Sequence, residues 1–368
     1  FYLLPGILQI VYLFSGKFDT CCPTHRNRLW DYIITLFIRL CLKHRYPKNL
    51  SSITATYEDF TKNRLPDTES KKIVVFLFFP FKYWDENIEY RGYESVYGNV
   101  RFYEKFIVFW SEIYEQINAF YSNKKLYFIN HPLRISVDRD KELTKTILSK
   151  AGIEVKPSFF TRNYRDILRM VNKENRKLFI KVRYGSMGKG ITYIEKDEWK
   201  TNFRFENNRI VSSVSDHGWS FMDITNNINF LKRLLTKDIV IEDAIEPYII
   251  DNLKFDLRVY VCFDDVLYIY PRTNAPEEIT TNISQGGKGR DARFLRKIPE
   301  NMIKKATRVA IDAAKAMGLD FSGVDIMLSK DLKHAYVIEI NAFPGFPSQK
   351  RFNLSRRIIK KIEEQKWK

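Results

Sequence analysis

From residue 71 onward the apolar residues fall into runs and stripes of two different periods. The run Ile73-Val74-Val75-Phe76-Leu77-Phe78-Phe79, stopped by Pro80, is continuous, as in a strand buried on both faces of a parallel sheet. Phe106, Phe109, Ile113, Ile117 and Phe120 then recur at helical spacing, and a second apolar strand is predicted at 126–129. Strand, helix, strand in that order predicts an α/β layer with the aromatic stripe in its core. A charged helix beginning near Asp138 carries Leu143, Ile147 and Leu148 and stops at Ala151-Gly152, because glycine adopts the left-handed conformation that ends helices. A strand at 158–161 and a helix at 164–171 lead into the strand Leu178–Val182. Beyond a glycine-rich stretch come Ile191–Glu195, a polar insertion and a strand at 239–242. The last third alternates again, with strands at 257–263 and 266–270, a helix Glu300–Met317, and strands at 323–328 and Ala335–Asn341.

The first 70 residues read differently. Residues 1–14 are mostly apolar but contain Pro5, Gly6 and Gln9 and are followed by Ser15-Gly16-Lys17, a stretch too short to span a bilayer. An amphipathic helix at 29–43 and a polar loop at 48–52 follow, so this part is expected to be a helical extension. No cationic run precedes the opening and there is no initiator Met, so a secretory signal is not expected and the chain reads as starting mid-protein.

Length and composition bound the partners. A chain of 368 residues, 45% apolar, accommodates two or three domains around one site. The formal charge of +17 attracts anions, whether nucleotides, acidic substrates, nucleic acid or lipid. The dense run containing Lys350, Arg356, Arg357, Lys360 and Lys361 reads as the outer face of a basic terminal helix, and nucleic acid is not the expected partner. Cys21, Cys22, Cys41 and Cys262 show no paired spacing, which argues against a disulfide framework and for a reducing cytoplasm. Cys21 and Cys22 with His25 and His44 match no common zinc spacing.

Two constellations carry chemistry. In Lys181-Val182-Arg183-Tyr184-Gly185-Ser186-Met187-Gly188-Lys189-Gly190, three glycines and a serine let backbone N–H groups converge on a phosphate, with Lys181 as a point charge. It is not a P-loop, since no Lys-Ser/Thr pair follows the last glycine and a strand comes next. In the second, Asp325 lies on one strand, while Glu339 and Asn341 share a face of the next by the period of two. If Asp325 faces them, three hard oxygen donors suit magnesium. Between these lie Asp256-Leu257-Arg258 and Asn282-Ile283-Ser284-Gln285-Gly286-Gly287, an arginine able to brace a phosphoryl group and a Gly-Gly pair able to aim amides at negative charge.

In this order, the pieces resemble the ATP-grasp ligases, and within them the glutathione synthetase and RimK-type glutamate ligase branch. The most specific piece is Glu339-Ile340-Asn341-Ala342-Phe343-Pro344-Gly345. The resemblance implies an α/β fold in which an α+β lid and a C-terminal catalytic subdomain form the ATP-grasp unit, at 138–245 and 246–368. A pre-ATP-grasp domain at 71–137 and the extension at 1–70 would precede it. It implies ATP and one or two magnesium ions, with Mn2+ an alternative. Lys141 and Lys181 would reach the phosphates beneath a flap of Gly185, Ser186, Met187, Gly188 and Gly190. Glu242, Asp243, Ala244 and Ile245 would be the hinge that holds adenine, with Asp256 near the ribose. Asp325, Glu339 and Asn341 would bind metal, while Arg258, Asn282, Gly286 and Gly287 face the reacting groups.

The implied reaction forms an amide or peptide bond between a small-molecule or peptide carboxylate and an amine through an acyl phosphate, with an anionic partner expected from the charge. A phosphotransferase acting on a hydroxyl and a nucleotide-fold protein binding polyanions are the alternatives. Two positions depart from the pattern. Val182 replaces a proline, and Thr280 stands where the RimK-type pattern has arginine, leaving Arg272 or Arg290 as candidates to replace its charge.

Overall fold

The computed structural model describes residues 8–14, 50–80, 97–211, 219–345, 347 and 354–365. The chain opens on a four-stranded parallel sheet of β1 (Leu8–Phe14), β2 (Leu50–Thr56), β3 (Lys72–Leu77) and β4 (Lys125–Ile129), in the order β2-β1-β3-β4. This corrects the helical reading of the first 70 residues at two places: β1 pairs with both β2 and β3, so the sheet crosses the boundary expected at Lys71. The polar stretch at 48–52 becomes strand at Leu50. The helix expected at 29–43 and the Cys21, Cys22, His25 and His44 group lie outside the described residues.

The unbroken apolar run of β3 is explained by burial on both faces. Ile73, Val75 and Leu77 pack with Phe106, Phe109, Trp110, Ile113 and Ile117 of the helix Val100–Phe120. Val74 and Phe76 pack on the other side with Leu354, Ile358 and Ile362 of the terminal helix Leu354–Glu364. Each fully buried Ile or Leu contributes roughly 1.5–3 kcal/mol, so the basic terminal helix is held chiefly by its apolar stripe. On its polar side Lys361 pairs with Asp265 and Glu364. Among the described residues no helix is long and apolar enough to cross a membrane.

Two further sheets follow. The first holds β5 (Ser158–Phe159), β6 (Leu178–Val182), β7 (Ile191–Glu195), β8 (Glu198–Thr201), β11 (Met222–Asp223) and β12 (Ile239–Asp243) in the order β11-β8-β7-β6-β12-β5. A hairpin of β9 (Arg204–Glu206) and β10 (Arg209–Val211) stands beside it. The second holds β13 (Ile249–Ile250), β14 (Leu253–Cys262), β15 (Asp265–Asn274), β16 (Lys288–Gly289), β17 (Phe321–Leu328) and β18 (Ala335–Asn341), ordered β16-β15-β14-β17-β18 with β13 paired to β14. Leu257, Val259 and Val261 of β14 face the helix Glu300–Met317, whose buried Ala306, Ala310, Ala313 and Ala314 allow close approach. By alternation, Asp256 and Arg258 face the other way, and every pairing in this second sheet is antiparallel.

The parallel sheet fixes the second one through Asn130, which is buried in the left-handed conformation at φ 62°. Its Oδ1 accepts from Phe321 N at 2.8 Å, and its Nδ2 donates to the carbonyls of Phe321 at 2.6 Å and Ala342 at 3.1 Å. From the same side, Asp138 accepts from Ala342 N at 2.6 Å. Ala342, the residue after Asn341, is therefore gripped at both its N–H and its carbonyl. Asn130→Ala leaves the buried Phe321 N–H without its acceptor and is expected to lower unfolding free energy by about 1–3 kcal/mol in urea titration. A loss below about 0.5 kcal/mol would show that the grip adds nothing.

Candidate active site

Lys181, Val240 and Glu242 from the first sheet face Ile338, Glu339 and Ile340 of β18 across an open cleft of about 420 Å³. Its third wall is Asp138, Lys141 and Lys145. Asp140 caps the helix Lys141–Lys150, accepting from Glu142 N at 3.0 Å and Leu143 N at 3.1 Å, and pairs bidentately with Arg183 at 2.8 and 2.7 Å. That pair ties the first turn of the helix to the end of β6, which fixes Lys141 at the mouth of the cleft. Lys141 donates to the Gly185 carbonyl and lies 3.6 Å from Glu339.

Glu242 is the centre of charge on this side. Lys181 and Lys145 both donate to it. Burial would raise its pKa, but the two ammonium groups outweigh burial and hold it down at about 2. Lys145, which the sequence reading missed, stands one turn after Lys141, so the spacing of four was the signal that both share a helix face. Burial lowers the pKa of each of these two lysines. Asp138 was also missed as a site group: burial pushes it up to about 7, against the Ala342 N–H.

A folded pKa near 2 against an ordinary value of 4.5 means that Glu242 contributes stability above pH 4.5 that is lost as pH falls toward 2. The shift corresponds to about 3 kcal/mol. Glu242→Gln is expected to remove that component from the decline of urea stability between pH 4.5 and 2. An unchanged slope would contradict the pairing.

The four hinge residues separate. Asp243 turns out of the cleft to Arg176 at 2.8 and 2.9 Å, and the Ala244 N–H donates to the Lys177 carbonyl at 2.8 Å. Of the four, Glu242 is the one whose side chain lines the cleft.

On the second sheet, Asp325 of β17 is the cross-strand partner of both Arg258 and Glu339, at a register shift between Asp325 and Ile326. Arg258 grips Asp325 bidentately at 2.7 and 2.8 Å. Arg272, from β15, reaches Asp325 at 2.9 Å and Asp256 at 2.7 and 2.6 Å. Burial opposes ionisation of Asp325, yet the two guanidinium groups outweigh it and keep its pKa below the ordinary carboxylate value. Asp256, expected beside the ribose, is buried with its oxygens taken by Arg272 and by the Thr281 hydroxyl at 2.5 Å. Arg272 is committed to these acids and replaces no charge at position 280.

Glu339 and Asn341 share a face of β18, and the buried Asn341 Nδ2 has no hydrogen-bond partner among the described residues. No group of three His, Cys, Asp or Glu that could hold a metal occurs among the described residues. The predicted set is two carboxylates and one carboxamide, all able to offer hard oxygen donors, while the unpartnered Nδ2 is a donor that calls for an acceptor rather than a metal. These residues fit a magnesium ion in chemistry, with Asp325 already sharing its oxygens with two arginines.

The glycine loop closes over the opposite loop. Tyr97 Oη and Ser186 Oγ are 2.9 Å apart, Asn202 donates to the Gly188 carbonyl at 2.7 Å, and Ser284 Oγ donates to the Met187 carbonyl at 2.8 Å. Gly188, at φ 71°, lets the flap approach Asn282: a Cβ there would stand 3.1 Å from Asn282 Nδ2. The Gly286 and Gly287 amides, expected to face developing charge, donate instead to the carbonyls of Ile283 at 3.4 Å and Asn282 at 3.0 Å. The turn itself requires glycine at both positions, since Gly286 has φ 92° and a Cβ on Gly287 would lie 2.1 Å from the Thr281 carbonyl oxygen.

Three comparisons bear on this arrangement. The YheC/D like ATP-grasp family profile matches residues 157–365. The probable alpha-L-glutamate ligase of Legionella pneumophila is 26% identical over 245 residues, which cover 65% of this chain and 68% of that protein. Among solved structures, the ATP-grasp ligase PsnB complexed with a phosphomimetic variant of minimal precursor, Mg and ADP matches with a TM-score of 0.54 at 14% identity, covering 96% of this chain and 97% of that one. D-alanine–D-alanine ligase from Bacillus anthracis complexed with ATP gives a TM-score of 0.50 at 13% identity, over 92% and 87%.

Proposed function

Because the chain belongs to the YheC/D-like ATP-grasp family, we propose that it is an ATP-dependent carboxylate–amine ligase working through an acyl phosphate. The observation that carries this reading is one cleft in which Lys141, Lys145, Lys181 and Glu242 stand opposite Glu339, itself the cross-strand partner of Asp325, with Lys141 tied to the glycine loop at the Gly185 carbonyl. The relatives named alpha-L-glutamate ligases support an amino acid or peptide as one substrate.

Lys181 and Lys145 are held at one point by Glu242, so two positive charges are positioned before a triphosphate arrives. Lys141 adds a third at the mouth, beneath the flap. Glu339, Asn341 and Asp325 would hold magnesium, which supplies charge neutralisation across the phosphates when bound. Arg258, fixed by Asp325, would brace the transferring phosphoryl group, and a closed flap would exclude water from it. An oxygen of the substrate carboxylate attacks the γ-phosphorus and ADP leaves. The amine then attacks the acyl carbon, and phosphate leaves with that oxygen while the nitrogen gives up a proton.

The test is ADP formation by the purified chain against panels of amino acids and short peptides. Loss of ATP that needs both an acid and an amine, with an amide product in the mass spectrum, is the expected result. A phosphorylated hydroxyl product without amide would assign a phosphotransferase. Salt-sensitive polyanion binding without stimulated ATP loss would assign a binding protein.

A further inference from the structure

Lys254 and Thr280 are buried polar groups left unused by the architecture and by the mechanism above. Lys254, on β14, is only 8% exposed, and its ammonium makes no hydrogen bond or ion pair with any described residue. Burial pulls its pKa down to about 8, against the opposing pull of the exposed Glu278 and Glu277. The Thr280 hydroxyl is buried and also has no partner among the described residues.

The topology brings the two together. Lys254 shares a face of β14 with Asp256 and Arg258. Its cross-strand partner on β15 is Asn274, which donates to the Thr280 carbonyl at 2.8 Å. The next residue, Thr281, reaches Asp256 on that same face. Residues 280 and 281 therefore cross, as a strap, the face from which the Lys254 side chain rises. An unpaired ammonium and an unpaired hydroxyl in such a place leave the loss of their hydration uncompensated. An oxyanion would satisfy both, accepting from the hydroxyl and neutralising the ammonium.

We propose that Lys254 and Thr280 form a subsite for the side-chain carboxylate of a glutamate-like substrate, an inference that rests on the ligase reading. The nucleotide is the less suitable occupant: Lys254 does not line the cleft where Lys141, Lys145 and Lys181 already meet. The strap runs directly into the Asn282–Gly287 turn, where the flap closes. Position 280 is also where an expected arginine is missing, and neither alternative guanidinium fills the place. Arg272 is committed to Asp256 and Asp325, and Arg290 directs its Nε to the Thr273 hydroxyl at 2.9 Å. The cation comes from β14, one strand away from where the sequence pattern puts it.

The experiment is amine-selective acetylation of the whole chain, read at Lys254 by peptide mass spectrometry, with magnesium ADP alone and with added glutamate or glutamine. Glutamate is expected to slow labelling at least about tenfold more than glutamine, the scale of one charged hydrogen bond. Equal labelling with the two amino acids, or full protection by magnesium ADP alone, overturns the proposal, the latter placing a phosphate at Lys254. Lys254→Met supplies a second measurement: the KM for glutamate should rise at least about tenfold while that for ATP stays within about twofold. The labelling readout needs no turnover. Glutamate protection without any glutamate-dependent ADP formation would therefore count against the ligase reading and leave the subsite standing.

Discussion

Glu339→Gln lowers kcat for ADP formation by at least about a hundredfold, the loss that follows removal of a principal electrostatic contact to a transferring group. The argument is geometric. Glu339 projects into the cleft, shares a face with Asn341, and is the cross-strand partner of an Asp325 whose oxygens are already shared with Arg258 and Arg272. Glu339 is then the least committed carboxylate of the set, so a metal shared with the phosphates depends on it most. Folding should barely notice, because its nearest cation, Lys141, stands at 3.6 Å in a partly exposed pair worth at most about 1 kcal/mol. Steady-state ADP assays with a magnesium titration, beside urea melts of both proteins, separate the two effects. A variant that turns over within about threefold of the parent would remove Glu339 from the metal site.

Arg272→Met acts on stability instead. Arg272 is 4% exposed and lies between two buried acids, Asp256 and Asp325. Burial disfavours its charge, and the two carboxylates more than restore it, raising the pKa. Deleting a buried partner strands charge that cannot be hydrated, at a cost of about 3–5 kcal/mol. Asp325 keeps Arg258, whereas Asp256 keeps only the Thr281 hydroxyl, so most of the loss is assigned to Asp256. A cycle with Asp256→Asn measures this: the second substitution should cost much less in the Arg272→Met background than in the parent. A cost below about 1 kcal/mol for Arg272→Met would show that the pairing is not what holds these strands in register.

How much of this was legible in the sequence depended on how local each signal was. The strands Leu178–Val182 and Ala335–Asn341 and the helix Glu300–Met317 are found with the bounds expected from the sequence. The first two strands were not legible. Ser51, Ser52, Thr54 and Thr56 make β2 polar, and the strand it pairs with, β1, is parallel and distant in the chain, so no local pattern encodes the pairing. The Asp325–Glu339 juxtaposition follows from the period of two on neighbouring strands. Arg272 was not assigned to Asp256 because their alignment passes through a register shift between Tyr260 and Val261 in the β14–β15 hairpin, which no residue type announces. For Gly286 and Gly287, the steric need for glycine in the turn was not legible, because the Thr281 carbonyl that crowds position 287 is brought there by the fold. Lys254 was overlooked because a lone lysine two residues before Asp256 looks like any solvated strand end until the strap across it is seen.

The most direct test of the account is where a substrate oxygen goes. When the acid that stimulates ADP formation is supplied with 18O in its carboxylate, an acyl phosphate requires one labelled oxygen to appear in inorganic phosphate for each amide formed. Phosphate free of label, with amide still produced, would contradict the mechanism derived from this cleft.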